Sequence, residues 1–239
     1  VSLGVNLMPR DGKVCTFDCL YCEAGVNAQG PGKAGIPSRE EVRRLLEEKL
    51  IDMKQKGETL DVITFSGNGE PTLHPDFKGV IDDTIELRDR YFPNVKISVL
   101  SNSTRIDNQS VVEALKRVDN IILKLDSAID STVRLIDRPT SPAYRVDSIV
   151  NSMKQFGNDL IIQTMFLRGS HDGVEIDNTT DAEVDALIEV YKKLKPREVM
   201  IYSIDRKTPE EHLVKVEKDE LQEIANKISD RAGVKVQVA

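Results

Sequence analysis

Apolar positions along the 239-residue chain follow two alternating periods, and this alternation predicts a repeat of strand, loop and helix. Short β-branched or aliphatic runs, bounded by Gly, Pro, Asn or Asp, are typical of strands. Between these runs, apolar residues recur every three to four positions, as on one face of a helix. The predicted strands are Ser2–Met8, Asp61–Phe65, Val95–Leu100, Asn120–Asp126, Leu160–Leu167, Glu198–Ile204 and a short Val234–Val238.

Helices are predicted in the intervals between these strands. Two of them begin at an S/T-x-x-E sequence that indicates a capping box, Ser38 to Glu41 and Thr180 to Glu183. The segment from Gly25 to Pro37 is too rich in Gly, Pro and Asn for a regular element. The predicted helical stripes are Val42–Met53, Pro75–Arg90, Asn108–Lys116, Val146–Met153, Val184–Tyr191 and Leu221–Ile228.

Strands that alternate with helices, with no long polar linker, predict an α/β protein with one parallel sheet, either barrel-like or doubly wound. The nearly continuous apolar run Leu160–Leu167 is expected for a strand covered on both faces. We expect a single domain over residues 1–239. In such sheets the chemistry lies at the carboxyl ends of the strands, so the loops after the first four strands are the candidate site.

The charge and the cysteine usage narrow the functional classes. The net charge is −7, which argues against broad nonspecific affinity for nucleic acid. We find no apolar run of about 18 residues and no leader sequence, so we expect neither a membrane span nor secretion. All three cysteines lie within "KVCTFDCLYCE". This odd number in one tight group indicates a metal site in a reducing compartment, and we therefore expect a cytoplasmic location.

Cys15, Cys19 and Cys22 are separated by three and then two residues, and they cannot all pair as disulfides. Three close thiolates suit zinc or an iron–sulfur cluster, whereas ordinary core cysteines would be scattered. A cluster held by three cysteines leaves one iron open for a cofactor or substrate. Structural zinc would need a fourth protein ligand, and the candidates are Asp18, Glu23 and His74.

This C-x3-C-x2-C loop after the first strand, with Tyr21 directly before the last cysteine, resembles the signature of radical S-adenosylmethionine enzymes. The resemblance implies a partial (β/α)6 TIM-like barrel over nearly the whole chain. It implies that the three cysteines are catalytic and hold a 4Fe-4S cluster whose unique iron binds S-adenosylmethionine. The cluster would cleave S-adenosylmethionine to a 5′-deoxyadenosyl radical that abstracts hydrogen from a substrate. A low-potential donor of the flavodoxin or ferredoxin type is implied as a partner.

The turn "SGNGEPT" after the second strand resembles the Gly-Gly-Glu motif of the same family, with Asn68 inserted between Gly67 and Gly69. Glycines let a backbone approach a ligand closely, and a glutamate can accept a hydrogen bond from an ammonium group. By resemblance, Gly69 and Glu70 would hold the methionine amino group. The alternative is a plain turn before Pro71.

Further polar residues follow the third and fourth strands. Ser101 and Asn102 carry groups suited to ribose hydroxyls or to the methionine carboxylate, with a turn or capping role as the alternative. Lys124 and Asp126 share one face of their strand, because side chains two positions apart point the same way. This pair could contact cofactor or substrate, or form a structural ion pair.

Two later strands add candidates for cofactor contact. Gln163 lies in an otherwise apolar strand, where a satisfied core amide is the alternative, and Tyr202 ends a strand, where packing is the alternative. Three arginines in predicted rim loops could bind an anionic substrate or be solvated: Arg134, Arg138 and Arg206.

The strings "GNGEPTLHPDF", "LSNST", "LKLDS" and "IYSIDRKTP" resemble the branch that contains wyosine-forming tRNA enzymes and bacterial relatives. This resemblance suggests a nucleoside or RNA base as substrate, among small-molecule and macromolecular possibilities. Wyosine-forming enzymes carry a second cysteine cluster, which counts against that activity because no further cysteine is present. Two alternatives stay open: a glycyl-radical activating enzyme acting on a protein, and a zinc-stabilised binding module.

Overall fold

The structure is a computed structural model that describes every residue, Val1–Ala239. Its strands are β1 Ser2–Val5, β2 Val62–Phe65, β3 Lys96–Ser101, β4 Asn120–Lys124, β5 Leu160–Met165, β6 Leu167–His171, β7 Val174–Asp177, β8 Glu198–Tyr202, β9 Leu213–Lys215 and β10 Val236–Val238. Its helices are α1 Arg39–Gln55, α2 Phe77–Tyr91, α3 Gln109–Leu115, α4 Asp130–Ile136, α5 Val146–Met153, α6 Asp181–Leu194 and α7 Lys218–Ala232. None of these helices combines the length and apolarity needed to cross a lipid bilayer.

The main sheet has seven strands in the order β1-β2-β3-β4-β5-β8-β10. The pairings of β1 with β2, β2 with β3, β5 with β8 and β8 with β10 are all parallel. The predicted α/β fold with a parallel sheet is therefore confirmed. By its internal contacts the chain divides into two compact units, Val1–Cys15 with Asn27–Ile121, and Thr16–Val26 with Ile122–Ala239.

In the first unit, α1 packs on α2 and α2 packs on α3, alongside the parallel strands β1, β2 and β3. The Ser38 side chain accepts a hydrogen bond from the Glu41 N–H at 3.2 Å, so α1 begins where the capping pattern predicted. Both helix stripe and strand are apolar, and their side chains form a buried core in which Leu50, Ile63 and Ile81 are fully covered.

In the second unit, β5, β8 and β10 are parallel, α5 packs on α6, and α6 packs on α7. The Thr180 side chain caps α6 by accepting from the Glu183 N–H. Glu183 does not complete a capping box, because its carboxylate instead accepts from the hydroxyls of Ser127 and Thr132, each at 2.5 Å. Tyr191, on the inner face of α6, is fully buried.

The predicted strand Leu160–Leu167 is wrong in extent, because the chain changes sheets after Phe166. The Phe166 N–H bonds to the main chain of Tyr202 at 2.8 Å, whereas the Leu167 N–H turns to the Asn178 side chain at 2.8 Å. The side chains of Phe166 and Leu167 are both buried, so the apolar pattern continues across the break between the two strands. Leu167 begins a three-stranded antiparallel sheet, β7-β6-β9, which the sequence pattern did not predict.

Candidate cofactor site

None of the three cysteines forms a disulfide; Cys19 is buried, and Cys15 and Cys22 are half-buried. Cys15 belongs to the first unit, and the other two cysteines belong to the second. No three His, Cys, Asp or Glu side chains surround a site for a single metal ion.

In the second unit, Cys19 and Tyr21 both face the carboxylate of Asp137. Cys19 Sγ lies 3.4 Å from Asp137 Oδ1, and the Tyr21 hydroxyl donates to the same oxygen at 3.2 Å. The Tyr21 hydroxyl also donates to Asp126 Oδ2. Burial, reinforced by the charge of Asp137, raises the pKa of the Cys19 thiol. Burial likewise raises the pKa of Tyr21, with Asp126 adding to the effect.

Lys124 belongs to the same buried group. Its Nζ contacts the Tyr21 hydroxyl, lies 3.3 Å from Asp126 Oδ2 and sits 4.7 Å from the centroid of the Tyr21 ring. Tyr202 hydrogen-bonds to Lys124, and its burial is the main reason that its pKa rises to about 12. Four residues that the sequence analysis names as candidates thus come together in one hydrogen-bonded group: Tyr21, Lys124, Asp126 and Tyr202.

In the first unit, the glycine turn, Ser66–Thr72, packs against the backbone of Val14, the residue before Cys15. Val14 forms a parallel bridge with Gly69; the Val14 N–H donates to Asn68 O at 3.2 Å, and the Glu70 N–H donates to Val14 O at 3.0 Å. Gly69 has φ 152°, and a Cβ there would lie 1.8 Å from Val14 O. Gly67, at φ 148°, is also crowded, because a Cβ there would lie 2.4 Å from Asn6 Oδ1. The glycines therefore allow the turn to touch the residue that precedes Cys15.

Glu70 is buried, and four donors already occupy its carboxylate. Oε1 accepts from the Thr72 N–H at 3.1 Å and the Thr72 hydroxyl at 2.6 Å. Oε2 accepts from the Asn102 N–H at 2.6 Å, and the Ser101 hydroxyl is a further donor. Burial raises the pKa of Glu70, and these hydrogen bonds oppose the rise. A carboxylate has about four acceptor positions, so Glu70 joins the glycine turn to the end of β3 with its acceptor capacity filled.

The loop after β3 turns sharply beside Cys15. Ser103 is buried and adopts φ 71°, a left-handed conformation that is uncommon for a residue other than glycine. The Asn102 side-chain amide donates to Cys15 Sγ at 3.5 Å, and its oxygen accepts from the Thr104 hydroxyl at 2.7 Å. Asn102 is thus oriented toward a cysteine sulfur, a contact that the sequence interpretation did not include.

The remaining candidates are not gathered into these groups by the contacts of the structure. Gln163 is half-buried in β5, where its main-chain oxygen accepts from the Leu125 N–H at 3.0 Å. Arg134 donates to the main-chain oxygens of Pro142 and Tyr144, which is a structural role. The other two arginines are exposed, and one of them, Arg206, pairs with Glu23 at 2.7 Å.

Sequence reasoning missed Asp137 and Thr72. Asp137 is buried although it lies in the charged string "DRPTSP", and its burial is the only signal that separates it from solvated loop acids. Thr72 follows Glu70 by two residues, a spacing at which a side chain commonly bonds a backbone N–H.

Comparison with known proteins shows the family to which the chain belongs. The model described as "Radical SAM superfamily" matches residues 11–178, which is more than half of the chain. The chain belongs to the Radical SAM superfamily. The matched segment contains the cysteine loop, the glycine turn, Lys124 and Asp126, whereas Tyr202 lies beyond it. Members are iron–sulfur enzymes that use a 4Fe-4S cluster and S-adenosylmethionine, so these are the cofactors of this chain.

Curated relatives are about a quarter identical to this radical SAM chain over the aligned residues. A protein named GTPase Obg from Brachyspira hyodysenteriae is 25% identical over 99% of the chain and 33% of its own length. UPF0026 protein from Helicobacter pylori strain J99 is 27% identical over 86% of the chain and 62% of its own length. The chain therefore spans between a third and two thirds of these relatives.

Solved structures share the fold at lower identity. A radical SAM methyltransferase from Sphaerobacter thermophilus has a TM-score of 0.70 and 16% identity, covering 99% of this chain and 65% of its own. SuiB from Streptococcus suis, bound to S-adenosylmethionine, has a TM-score of 0.69 and 16% identity over all of this chain and 50% of its own. TYW1 with a lysine–pyruvate adduct has a TM-score of 0.64 and 16% identity over 97% of this chain and 74% of its own. These structures agree with a partial barrel of the radical SAM type.

The residues present suit the cofactors of the family. Three thiols in one loop, none of them in a disulfide, are soft ligands for iron, and one amide already points at a cysteine sulfur. The glycine turn is packed so tightly on Val14 that the start of the loop has a defined backbone position.

Proposed function

We propose that the chain is a radical enzyme that activates a C–H bond of its substrate, with Cys15, Cys19 and Cys22 as the ligands of the 4Fe-4S cluster. The observation that carries the proposal is three cysteines outside any disulfide, at C-x3-C-x2-C spacing, within the segment that matches the radical SAM model. When bound, the reduced cluster would supply one electron for the reductive cleavage of S-adenosylmethionine, and this chemistry would remove a hydrogen atom from the substrate.

The chain's own residues orient these ligands. The Asn102 amide donates to Cys15 Sγ, and such hydrogen bonds stabilise negative charge on sulfur. Gly69 and Glu70 remain our candidates for the methionine amino group, and Ser101 for the ribose or carboxylate. Because four donors fill the Glu70 carboxylate, an incoming ammonium group would replace one of them rather than add to them.

The first substrate class that we propose is a nucleoside or RNA base. Its support is the resemblance of the motif strings to the wyosine branch, together with a fold shared with TYW1. The net charge of −7 weakens long-range attraction of a polyanion, so an isolated nucleoside fits the charge better than a long RNA does. The reductant that we propose is a flavodoxin or ferredoxin.

A polypeptide substrate, as for a glycyl-radical activating enzyme, is the second candidate, and the small sheet of the second unit favours it. Strand β6 starts directly after β5, and β9 follows β8, so both follow the carboxyl ends of parallel strands. The outer strands β7 and β9 each pair only with β6. Open edges of this kind pair readily with an extended peptide.

The test is anaerobic reconstitution with iron and sulfide, followed by S-adenosylmethionine and dithionite. We expect 5′-deoxyadenosine by mass spectrometry, at a rate that rises with the correct substrate class among free nucleosides, unmodified tRNA and peptides. Deuterium transfer from a labelled substrate into 5′-deoxyadenosine would identify the class. The control is Cys19→Ala, which should show background only. A wild-type protein carrying four irons that makes no more 5′-deoxyadenosine than this control would contradict the proposal.

A further inference from the structure

The cysteine loop of the second unit takes its backbone hydrogen bonds from a segment more than 100 residues away. The Leu20 N–H donates to Ile136 O at 2.9 Å, and the Asp18 N–H donates to Asp137 O at 3.0 Å. In the opposite direction, the Thr140 N–H donates to Thr16 O at 2.9 Å. The irregular stretch Thr16–Leu20 thus lies beside Ile136–Thr140, which is the last residue of α4 and the four residues after it.

Side chains add to this pairing. The Thr140 hydroxyl also donates to Thr16 O at 3.1 Å. The ring of Phe17 packs edge-on against Tyr144, with centroids 5.5 Å apart and an interplanar angle of 73°. Both rings are buried. The distant segment therefore contacts the cysteine loop along the residues from Thr16 to Leu20.

Asp137 makes the largest number of these contacts. Its main-chain oxygen receives the Asp18 N–H, while its Oδ1 receives the Tyr21 hydroxyl at 3.2 Å and lies 3.4 Å from Cys19 Sγ. The side chain is buried. The next residue, Arg138, has φ 49° directly before a proline, a conformation that costs energy and persists only when its surroundings hold it.

Cluster ligands must be presented with defined separations, and an unsupported loop pays conformational entropy to reach them. Within Thr16–Cys22 the Cys22 N–H bonds to Cys19 O at 3.1 Å, whereas the Asp18 and Leu20 N–H groups bond to the distant segment. We propose that Ile136–Tyr144 is a template that holds the cysteine loop in its ligand-presenting conformation before the cluster binds, with Asp137 as its central positioning residue. The proposal rests on the proposed function only for the identity of the group that the loop receives.

The test is amide hydrogen exchange on the full chain before iron is added. We expect Asp137→Ala to lower protection of the peptide covering Thr16–Cys22 about tenfold or more, because hydrogen bonds to a buried carboxylate are lost. Asp137→Asn should lose less, since its amide oxygen can still accept from Tyr21. The matched control is Asp147→Asn, an exposed acid on α5, which should leave the exchange of this peptide unchanged.

A second measurement follows iron release from the loaded protein to a chelator, where Asp137→Ala should lose iron about tenfold faster than Asp147→Asn. Wild-type protection of the Thr16–Cys22 peptide in a folded Asp137→Ala protein would overturn the template. If Asp137→Ala loses protection throughout the protein, the Thr140→Val variant tests the template instead. Faster exchange confined to its Thr16–Cys22 peptide supports the template, and unchanged exchange of that peptide overturns it. Exchange before iron loading does not depend on radical chemistry, so failure of the proposed function and failure of the template are distinguishable.

Discussion

Gly69→Ala tests whether the glycine turn and the cysteine loop touch as the structure shows. A Cβ at this position would lie 1.8 Å from Val14 O, whereas real Cβ contacts below 3.0 Å essentially do not occur, so the two backbones must separate by at least 1.2 Å. That movement breaks the hydrogen bonds from Glu70 N to Val14 O and from Val14 N to Asn68 O, at 3.0 and 3.2 Å.

The expected cost combines these losses. Two backbone hydrogen bonds contribute about 1 kcal/mol each. Forcing alanine into the φ 152° conformation of Gly69 adds about 1–3 kcal/mol. We therefore expect Gly69→Ala to lower the free energy of unfolding by about 3–5 kcal/mol if the clash is not relieved elsewhere.

The assay is urea unfolding followed by circular dichroism, compared with Gly57→Ala as the matched control. Gly57 also has a positive φ, 67°, but nothing lies within 4 Å of a Cβ there. The control isolates the left-handed backbone cost, about 1–2 kcal/mol. If the two variants lose equal stability, the close approach of Gly69 to Val14 is wrong.

Two further variants probe charge and redox properties. Asp83→Asn should lower the free energy of unfolding at pH 7 by about 1.5–3 kcal/mol, because Asp83 accepts from the guanidinium groups of Arg39, at 2.7 and 2.9 Å, and Arg43, at 2.9 Å. The hydrogen bond with Arg39 holds the pKa of Asp83 below the ordinary value. The stability that Asp83 contributes is therefore present above about pH 4 and is lost as the pH falls through its folded-state pKa. If the difference in urea midpoint between wild type and Asp83→Asn is the same at pH 7 and at pH 2, this prediction is wrong. Asn102→Ala should lower the reduction potential of the cluster by about 20–65 mV, the equivalent of one hydrogen bond to Cys15 Sγ, and potentiometry that finds no decrease would contradict that contact.

Much of the fold was predictable because the apolar period reports burial directly. The parallel strands and most helices appear close to their predicted positions, and the caps at Ser38 and Thr180 mark where two helices begin. The apolar pattern did not predict the change of sheet after Phe166, because a buried apolar residue is compatible both with a continuing strand and with a change to another sheet. It also missed α4, whose seven residues bury only Val133 and Ile136 and so carry too short a stripe.

The cysteine spacing identified the family, but the partners of each site residue could not be predicted. Lys124 and Asp126 were expected to share a face, whereas their union with Tyr21 depends on tertiary contacts across about 100 residues. The role of Asp137 could not be predicted for the same reason, because the sequence alone does not distinguish a buried aspartate from a solvated one in a loop.

The proposed site holds one 4Fe-4S cluster on Cys15, Cys19 and Cys22, with an open iron that binds S-adenosylmethionine. The most direct measurement is iron and sulfide analysis of the anaerobically reconstituted chain, with electron paramagnetic resonance of the dithionite-reduced protein before and after S-adenosylmethionine is added. We expect about four irons and four sulfides per chain and a reduced-cluster signal that shifts on addition. One zinc per chain without sulfide, or a four-iron signal that S-adenosylmethionine leaves unchanged, would contradict it.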